Sequence, residues 1–216
     1  AKAPTTHHEL SIGVAQAVSA VLDRVGRDRA ATIALVSVST TLATNALVEG
    51  HGEPAGLFSF GFSAAELERT GLSTAVAPDL LTSMDGGHDA HGNERSPLDL
   101  EAIEHRATAL ADRVSAFAVA SQFSVRNPAH EQQAAALIRS VTGLPVTASH
   151  ELSAKLDGPR RALTAALNAR LLGTIDRLNR AVALVLEQHD IDAPLMVVRG
   201  DGSLVSAAFA GARPIE

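Results

Sequence analysis

Short runs that are almost continuously apolar, TIALVSV at 32–38, AGLFSF at 55–60, VSAFAVA at 114–120 and PLMVVRG at 194–200, recur along this chain. A strand reads this way when both its faces are covered, as parallel strands between helices are. A shorter strand is expected at 144–148. Between these runs the apolar residues step by three or four. Ile12, Val14, Val18, Val21, Leu22 and Val25 predict a helix over 10–25, stopped at Gly26. Further helices are expected near 63–70, 99–113 and 128–141, and Leu163, Leu167, Leu171, Ile175, Leu178, Val182 and Val185 carry one from Pro159 to about His189. Such alternation limits the fold class to α/β, with a mixed, mostly parallel sheet flanked by helices. We expect one α/β domain over 1–216 with an irregular insertion at about 71–99, where Gly71, Pro78, Gly86, Gly87, Gly92 and Pro97 interrupt any regular pattern. Long loops inside compact domains are often functional.

Composition excludes several function classes. With 46% hydrophobic and 19% charged residues the chain can bury a core, so global disorder is excluded. A formal charge of −6, no basic run and no Trp or Tyr argue against nucleic acid as a partner. The absence of cysteine rules out disulfides and thiolate metal sites. No apolar run approaches the roughly 18–20 residues that span a bilayer, and AKAPTTHHEL lacks a signal-peptide core, so a cytoplasmic protein without membrane contact is expected.

Three constellations carry candidate chemistry. STTLATN at 39–45 follows a strand, where hydroxyls of Ser39, Thr40 and Thr41 with the amide of Asn45 can hold a phosphate or carboxylate or orient a water. Ser39 or Thr40 serves equally well as a plain helix cap. DGGHDAHGNE at 85–94 gathers Gly87, His88, Asp89, His91 and Glu94 behind a glycine pair; imidazole and carboxylate can bind a divalent ion or substrate, although the spacing fits no zinc template and such side chains also simply face water. RGDGSL at 199–204 frees the backbone at Gly200 and Gly202 and offers Asp201 and Ser203, while also being ordinary turn chemistry. Arg126 and Asn127, just before Pro128, add a charged clamp on the same sheet edge or are solvated strand-end residues.

Taken together, KAPTTHHELSIGV at 2–14, STTLATNALVEG at 39–50, GGHDAHG at 86–92, RNPAHEQ at 126–132, SHEL at 149–152 and MVVRGDGSL at 196–204 resemble the hydantoinase/oxoprolinase family in order and spacing. Many members have His-Gly where this chain has Val38 and Ser39, so a role for that histidine does not transfer. The resemblance implies part of a ribonuclease-H-like domain of the actin, sugar-kinase and chaperone ATPase kind. It also implies ATP and Mg2+ as cofactors, a hydantoinase B-type partner subunit beside the remaining domains, and ATP-driven opening of a cyclic amide such as 5-oxoproline or a hydantoin. Relatives that carboxylate ketones make that reaction the alternative, and a non-catalytic binding or assembly module is a third reading.

On this resemblance Thr40, Thr41 and Asn45 are the catalytic candidates, Ser39 and Gly200, Asp201, Gly202 and Ser203 the cofactor-binding ones, and Gly87, His88, Asp89, Arg126 and Asn127 the substrate-binding ones. Members open on an Asp-x-Gly-Gly-Thr phosphate hairpin and continue past Arg-Pro-Ile-Glu at 213–216 into a second Gly-rich loop; neither is in this sequence, so the isolated chain is expected to lack ATPase activity.

Overall fold

The computed structural model describes residue 3 and residues 10–39 and 52–215. Its contacts divide into two compact units, one from 10–39 with 174–214 and one from 52–173 with Ile215.

The second unit is built on four parallel strands, β2 (Ala55–Phe60), β3 (Leu81–Met84), β4 (Ala116–Ser121) and β5 (Val146–Ala148), in the order β3-β2-β4-β5. Helices α2 (Ala64–Glu68), α3 (Leu100–Leu110) and α4 (Ala129–Thr142) connect them, α5 (Ser149–Leu152) follows β5, and α6 (Gly158–Gln188) supplies its part up to 173. Both central strands are buried at every position, which is why their sequences read as unbroken apolar runs. Leu57, Phe58, Phe60, Phe117, Val119, Ile103, Leu110 and Ile138 form the middle of the core. The Phe117 ring lies directly on β2: a Cβ placed on Gly56 would sit 2.6 Å from Phe117 Cδ1, so only glycine admits the ring there. Ser63 starts α2 with a reciprocal capping box, accepting from Glu66 N–H at 3.3 Å while its own N–H donates to the Glu66 carboxylate at 2.8 Å. Asp99 caps α3 by accepting from Ala102 N–H at 2.9 Å.

In the first unit, α1 (Leu10–Val25) and the part of α6 beyond 173 pack through Leu22, Val182 and Leu186 against Val36, Val38 and Leu195. Among the described residues the sheet has three strands, β1 (Val36–Ser39) parallel to β6 (Leu195–Val198) and β7 (Leu204–Ser206) antiparallel to β6. A short helix, α7 (Ala207–Ala212), is capped by Ser206, which accepts from Phe209 N–H at 3.2 Å.

Strand and helix alternate in the order the sequence indicates, and β6–β7 is the one antiparallel strand pair among the described residues. Three expectations need correction. The first strand starts at Val36 rather than at Thr32, because 27–32 winds into a 3₁₀ turn in which the Thr32 hydroxyl donates to Arg29 O at 2.8 Å. It is also covered on one face only: Val36 and Val38 are half-buried and Ser37 and Ser39 exposed. The stretch 71–99 is not wholly irregular, since it contains β3, a polar edge strand preceded by two 3₁₀ turns. Finally, Arg126 and Asn127 follow β4, whereas the 199–203 turn follows β6; the two strands belong to different sheets and so share no edge. Among the described residues, no helix is long and apolar enough to cross a membrane.

Candidate ligand site at the carboxyl ends of the parallel strands

From β2 the chain steps to β3 on one side and then to β4 on the other. The carboxyl ends of such diverging strands are where open α/β sheets bind ligands. Backbone hydrogen bonds bind the loops together here: Gly61 N–H donates to Met84 O at 3.0 Å, Gln122 N–H to Phe60 O at 3.0 Å and His88 N–H to Gln122 O at 3.0 Å. Gly61 has φ +78°, and a Cβ on it would come within 2.6 Å of Gly86 O, so a side chain would pry the first two loops apart. Phe123, after β4, holds φ +54°, a conformation unusual outside glycine and frequent at functional loops. Asn127 ties this loop to the next by donating from Nδ2 to Gly92 O at 3.0 Å, and Arg126 beside it is exposed. Residues 61–63, 83–86, 95–97 and Asp99 enclose a cavity of about 820 Å3. That volume is in the range of small-molecule sites.

Behind the loop lies a histidine pair. His88 is 1% exposed and its ring stands 4.4 Å from that of His130, centroid to centroid. His130 Nδ1 accepts from Gly87 N–H at 2.9 Å, which requires that nitrogen to be unprotonated. Its proton is therefore on Nε2, 2.8 Å from Glu94 Oε1. His88 Nδ1 is buried without a hydrogen-bond partner. Burial, reinforced by the neighbouring His130, pulls the His88 pKa below its ordinary value, against the weaker pull of Glu94 and Asp89. Asp89 instead folds its own loop, accepting from the N–H groups of His91 at 2.8 Å and Asn93 at 3.0 Å and from Asn93 Nδ2 at 2.9 Å. Those bonds, led by the Asn93 side chain, hold its carboxyl at about 2. His88, Asp89, His91 and Glu94 therefore do not converge on an ion, and no group of three His, Asp or Glu able to hold a metal occurs among the described residues.

Sequence reasoning missed the most densely bonded polar group of this edge. Glu131, fully buried in the first turn of α4, accepts Ser121 N–H at 2.7 Å and the Ser149 hydroxyl at 2.6 Å on one oxygen. Its other oxygen accepts His150 N–H at 2.9 Å and His150 Nδ1–H at 2.6 Å. Burial alone would raise its pKa; the bonds from His150 and Ser149 outweigh burial and hold it below the usual carboxylate range. Arg161, 2% exposed, lies alongside and donates to Ser124 Oγ at 3.0 Å and to Lys155 O at 2.5 Å. The fragments RNPAHEQ and SHEL contain these residues, but a glutamate in a helix's first turn reads as an ordinary dipole-compensating surface residue.

In the first unit, Ser39 at the end of β1 is in register with Val198 at the end of β6. The 199–203 turn is closed by Gly202 N–H donating to Arg199 O at 3.0 Å and by Asp201, whose carboxylate accepts Ser203 N–H at 2.9 Å and the Ser203 hydroxyl at 2.6 Å. A Cβ on Gly200 or Gly202 would meet nothing within 4 Å among the described residues, so the turn presents open backbone. Thr40, Thr41 and Asn45 lie outside the described residues.

Parallel strands flanked by helices, with carboxyl ends that open onto a polar cavity at a topological switch point, define an α/β domain with a candidate ligand site. The chain belongs to the hydantoinase/oxoprolinase family, whose N-terminal region matches residues 1–142. It is 31% identical over 202 residues to the acetophenone carboxylase gamma subunit of Aromatoleum aromaticum, covering 79% of this chain and 28% of that protein. It is 29% identical over 225 aligned positions to the caprolactamase subunit alpha of Pseudomonas jessenii, covering 94% of this chain and 32% of that one. The crystal structure of the ATP-dependent caprolactamase from Pseudomonas jessenii superposes with a TM-score of 0.79 at 25% identity over 96% of this chain and 33% of its own. A nucleotide-free acetone carboxylase shares the fold, with a TM-score of 0.73 at 17% identity over 99% of this chain and 34% of its own. This chain thus spans about a third of the length of these relatives.

Proposed function

We propose that this chain is the N-terminal-region portion of an ATP-dependent hydrolase that opens cyclic amides of the oxoproline, hydantoin or lactam class, working with further domains and a hydantoinase B-type subunit. The observation that carries the reading is the likeness to an ATP-dependent caprolactamase over 96% of the chain at a TM-score of 0.79. The alternative, ATP-dependent carboxylation of a ketone, is favoured by the 31% identity to the acetophenone carboxylase subunit.

The residues of the first unit suit a nucleotide's phosphates. Ser39 and the sterically open Gly200–Asp201–Gly202–Ser203 turn occupy one carboxyl edge, the position at which open α/β sheets take ligands. Thr40, Thr41 and Asn45, next along the chain, would orient the reacting oxygen or a water. ATP, when bound, supplies a phosphoryl group that makes the amide carbonyl carbon electrophilic. Mg2+ would enter with the nucleotide, held through phosphate and water, as this ion needs few protein ligands. In the second unit, Gly87 and His88 form the packed floor of the strand-end loops, Asp89 and Asn127 fix the 86–95 segment, and Arg126 supplies an exposed cation. The protein's work is positioning and charge stabilisation.

The test is turnover by the assembled protein, with its B-type partner, given MgATP and either caprolactam, 5-oxoproline and hydantoin or acetone and acetophenone with bicarbonate. ADP release coupled to an amino acid product, or to a carbamoyl amino acid from hydantoin, supports the hydrolase. ADP release coupled to a keto acid establishes the carboxylase, and no ATP turnover with any substrate leaves the binding-module reading.

A further inference from the structure

The cavity at the ends of β2 and β3 carries an unusual charge arrangement. Arg95 and Asp85 both line it, both are exposed, and no ion pair joins them. Elsewhere in this unit arginines and aspartates do pair, as Arg113 with Asp79 and Arg160 with Asp157. Asp85 has no hydrogen-bond or ion-pair partner among the described residues, whereas the other lining carboxylate, Asp99, is committed to capping α3. Arg95 donates one Nη1–H to Gln122 Oε1, which steadies the guanidinium, and the Glu66 carboxylate lies near enough to feel its charge; the remaining donors are left for a ligand. Phe62, Met84 and Pro97 give the same cavity apolar wall.

We propose that this cavity binds a small zwitterion with an aliphatic middle, an ω-amino acid, with its carboxylate on Arg95 and its ammonium on Asp85. Two opposite charges in one cavity that do not neutralise each other suit a ligand bearing both charges at its ends, and the planar guanidinium matches a carboxylate. Resting on the hydrolase reading for its natural ligand, the proposal makes this the site of the ring-opened product of a lactam, since hydrolysis of a lactam yields one carboxylate and one amine on a single chain. A keto acid would satisfy Arg95 and leave Asp85 facing it unmatched.

The experiment titrates the 15N-labelled chain with 4-aminobutanoate, 5-aminopentanoate and 6-aminohexanoate, and with hexanoate and hexylammonium. Saturable amide shifts at Gly61, Gly86 and Ser96 are expected for at least one ω-amino acid, with the singly charged analogues at least tenfold weaker. Asp85→Asn should weaken the amino acid at least tenfold and leave hexanoate unchanged, and Arg95→Gln should do the same with hexylammonium unchanged. Both side chains are exposed, so both variants should keep the wild-type unfolding midpoint, which is measured alongside. Hexanoate binding as tightly as the amino acids, no saturable shift with any ligand, or an Asp85→Asn variant that binds normally overturns the proposal. Turnover of the assembled protein is read separately: hydrolysis without zwitterion binding sinks the site alone, and carboxylation with zwitterion binding sinks the hydrolase reading alone.

Discussion

Replacing Glu131 should destabilise the second unit even when the replacement has the same shape. The carboxylate accepts four hydrogen bonds, two on each oxygen, and on each oxygen one of the two donors is a backbone N–H, of Ser121 or His150. In Glu131→Gln one oxygen becomes an NH2 group. The Ser149 hydroxyl can rotate and the His150 ring can change tautomer, but neither backbone N–H can turn away. Whichever way the amide is flipped, it therefore faces one fixed donor with another and leaves it unsatisfied, at about 1–3 kcal/mol. Glu131→Ala removes every acceptor and leaves buried Arg161 with only the exposed Asp157 as a nearby anion, at about 3–5 kcal/mol. Against a total stability of about 5–15 kcal/mol either loss is large. With a urea slope of about 2 kcal/mol/M, a loss of about 2 kcal/mol lowers the midpoint by about 1 M. The pH dependence gives a second readout. Because the folded-state pKa of Glu131 lies below the ordinary 4.5, its stabilisation is present above that value and is lost as pH falls through the folded pKa. The gap between wild type and Glu131→Gln should therefore narrow under acid. A glutamine variant with an unchanged midpoint and an unchanged acid limb would refute the accounting.

His88→Leu should leave neutral-pH stability within about 1 kcal/mol of wild type or raise it, because the buried Nδ1 it removes has no partner. The folded pKa of His88 is depressed, so the unfolded chain binds the extra proton and wild type loses stability as pH falls below the ordinary 6.5; the leucine variant should be spared that loss in thermal melts at pH 7 and pH 5. A steeper acid loss in the variant contradicts this. Asp89→Ala removes the acceptor that three donors of its loop share, and limited proteolysis should then cut first within 86–95 while wild type resists there. Gly56→Ala drives a methyl group into the Phe117 ring and should cost about 1–3 kcal/mol by urea unfolding, with Phe117→Leu in the same chain recovering part of it. In the assembled protein, Thr41→Val should lower turnover while stability stays within about 1–2 kcal/mol; equal turnover with a comparable stability loss would make Thr41 a helix-terminal residue only.

The elements that were legible in the sequence are those whose environment is uniform along their length. β2 is buried at all six positions and was readable to its ends as AGLFSF; α6, expected from Pro159 to about His189, runs from Gly158 to Gln188. β3 escaped because LTSM is a short edge strand with one exposed and three half-buried residues, so it carries neither an apolar run nor a clean alternation. TIALVSV misled in the opposite sense, since its first residue is held by a local hydroxyl-to-carbonyl bond and its later part meets helices on one face only. The site shows the same division. GGHDAHG and RNP marked the strand-end loops, and the structure does bring Gly92 to Asn127 and His88 to Gln122. Nothing in FSVRNP signals the positive φ of Phe123, because that conformation is imposed by the loops packed around it.

What separates scaffold from candidate chemistry along this edge is the state of each polar group's hydrogen bonds, which no sequence motif records. Asp89 stood out in the sequence and Glu131 did not, yet both are engaged by donors from their own unit, Glu131 with two on each oxygen and Asp89 with three in all, and so have little capacity left for a ligand. Asp85 drew no notice as the residue before a glycine pair, yet its carboxylate has no partner among the described residues and lines the cavity opposite in charge to Arg95. A saturated buried carboxylate fixes where the strand ends sit, and its loss is read in stability. An unsatisfied exposed one at the mouth of a cavity leaves stability nearly untouched, and its loss is read in binding. The Glu131 and Asp85 variants therefore probe opposite ends of one physical criterion: Glu131→Gln should move the unfolding midpoint, and Asp85→Asn should move only the affinity for the doubly charged ligand.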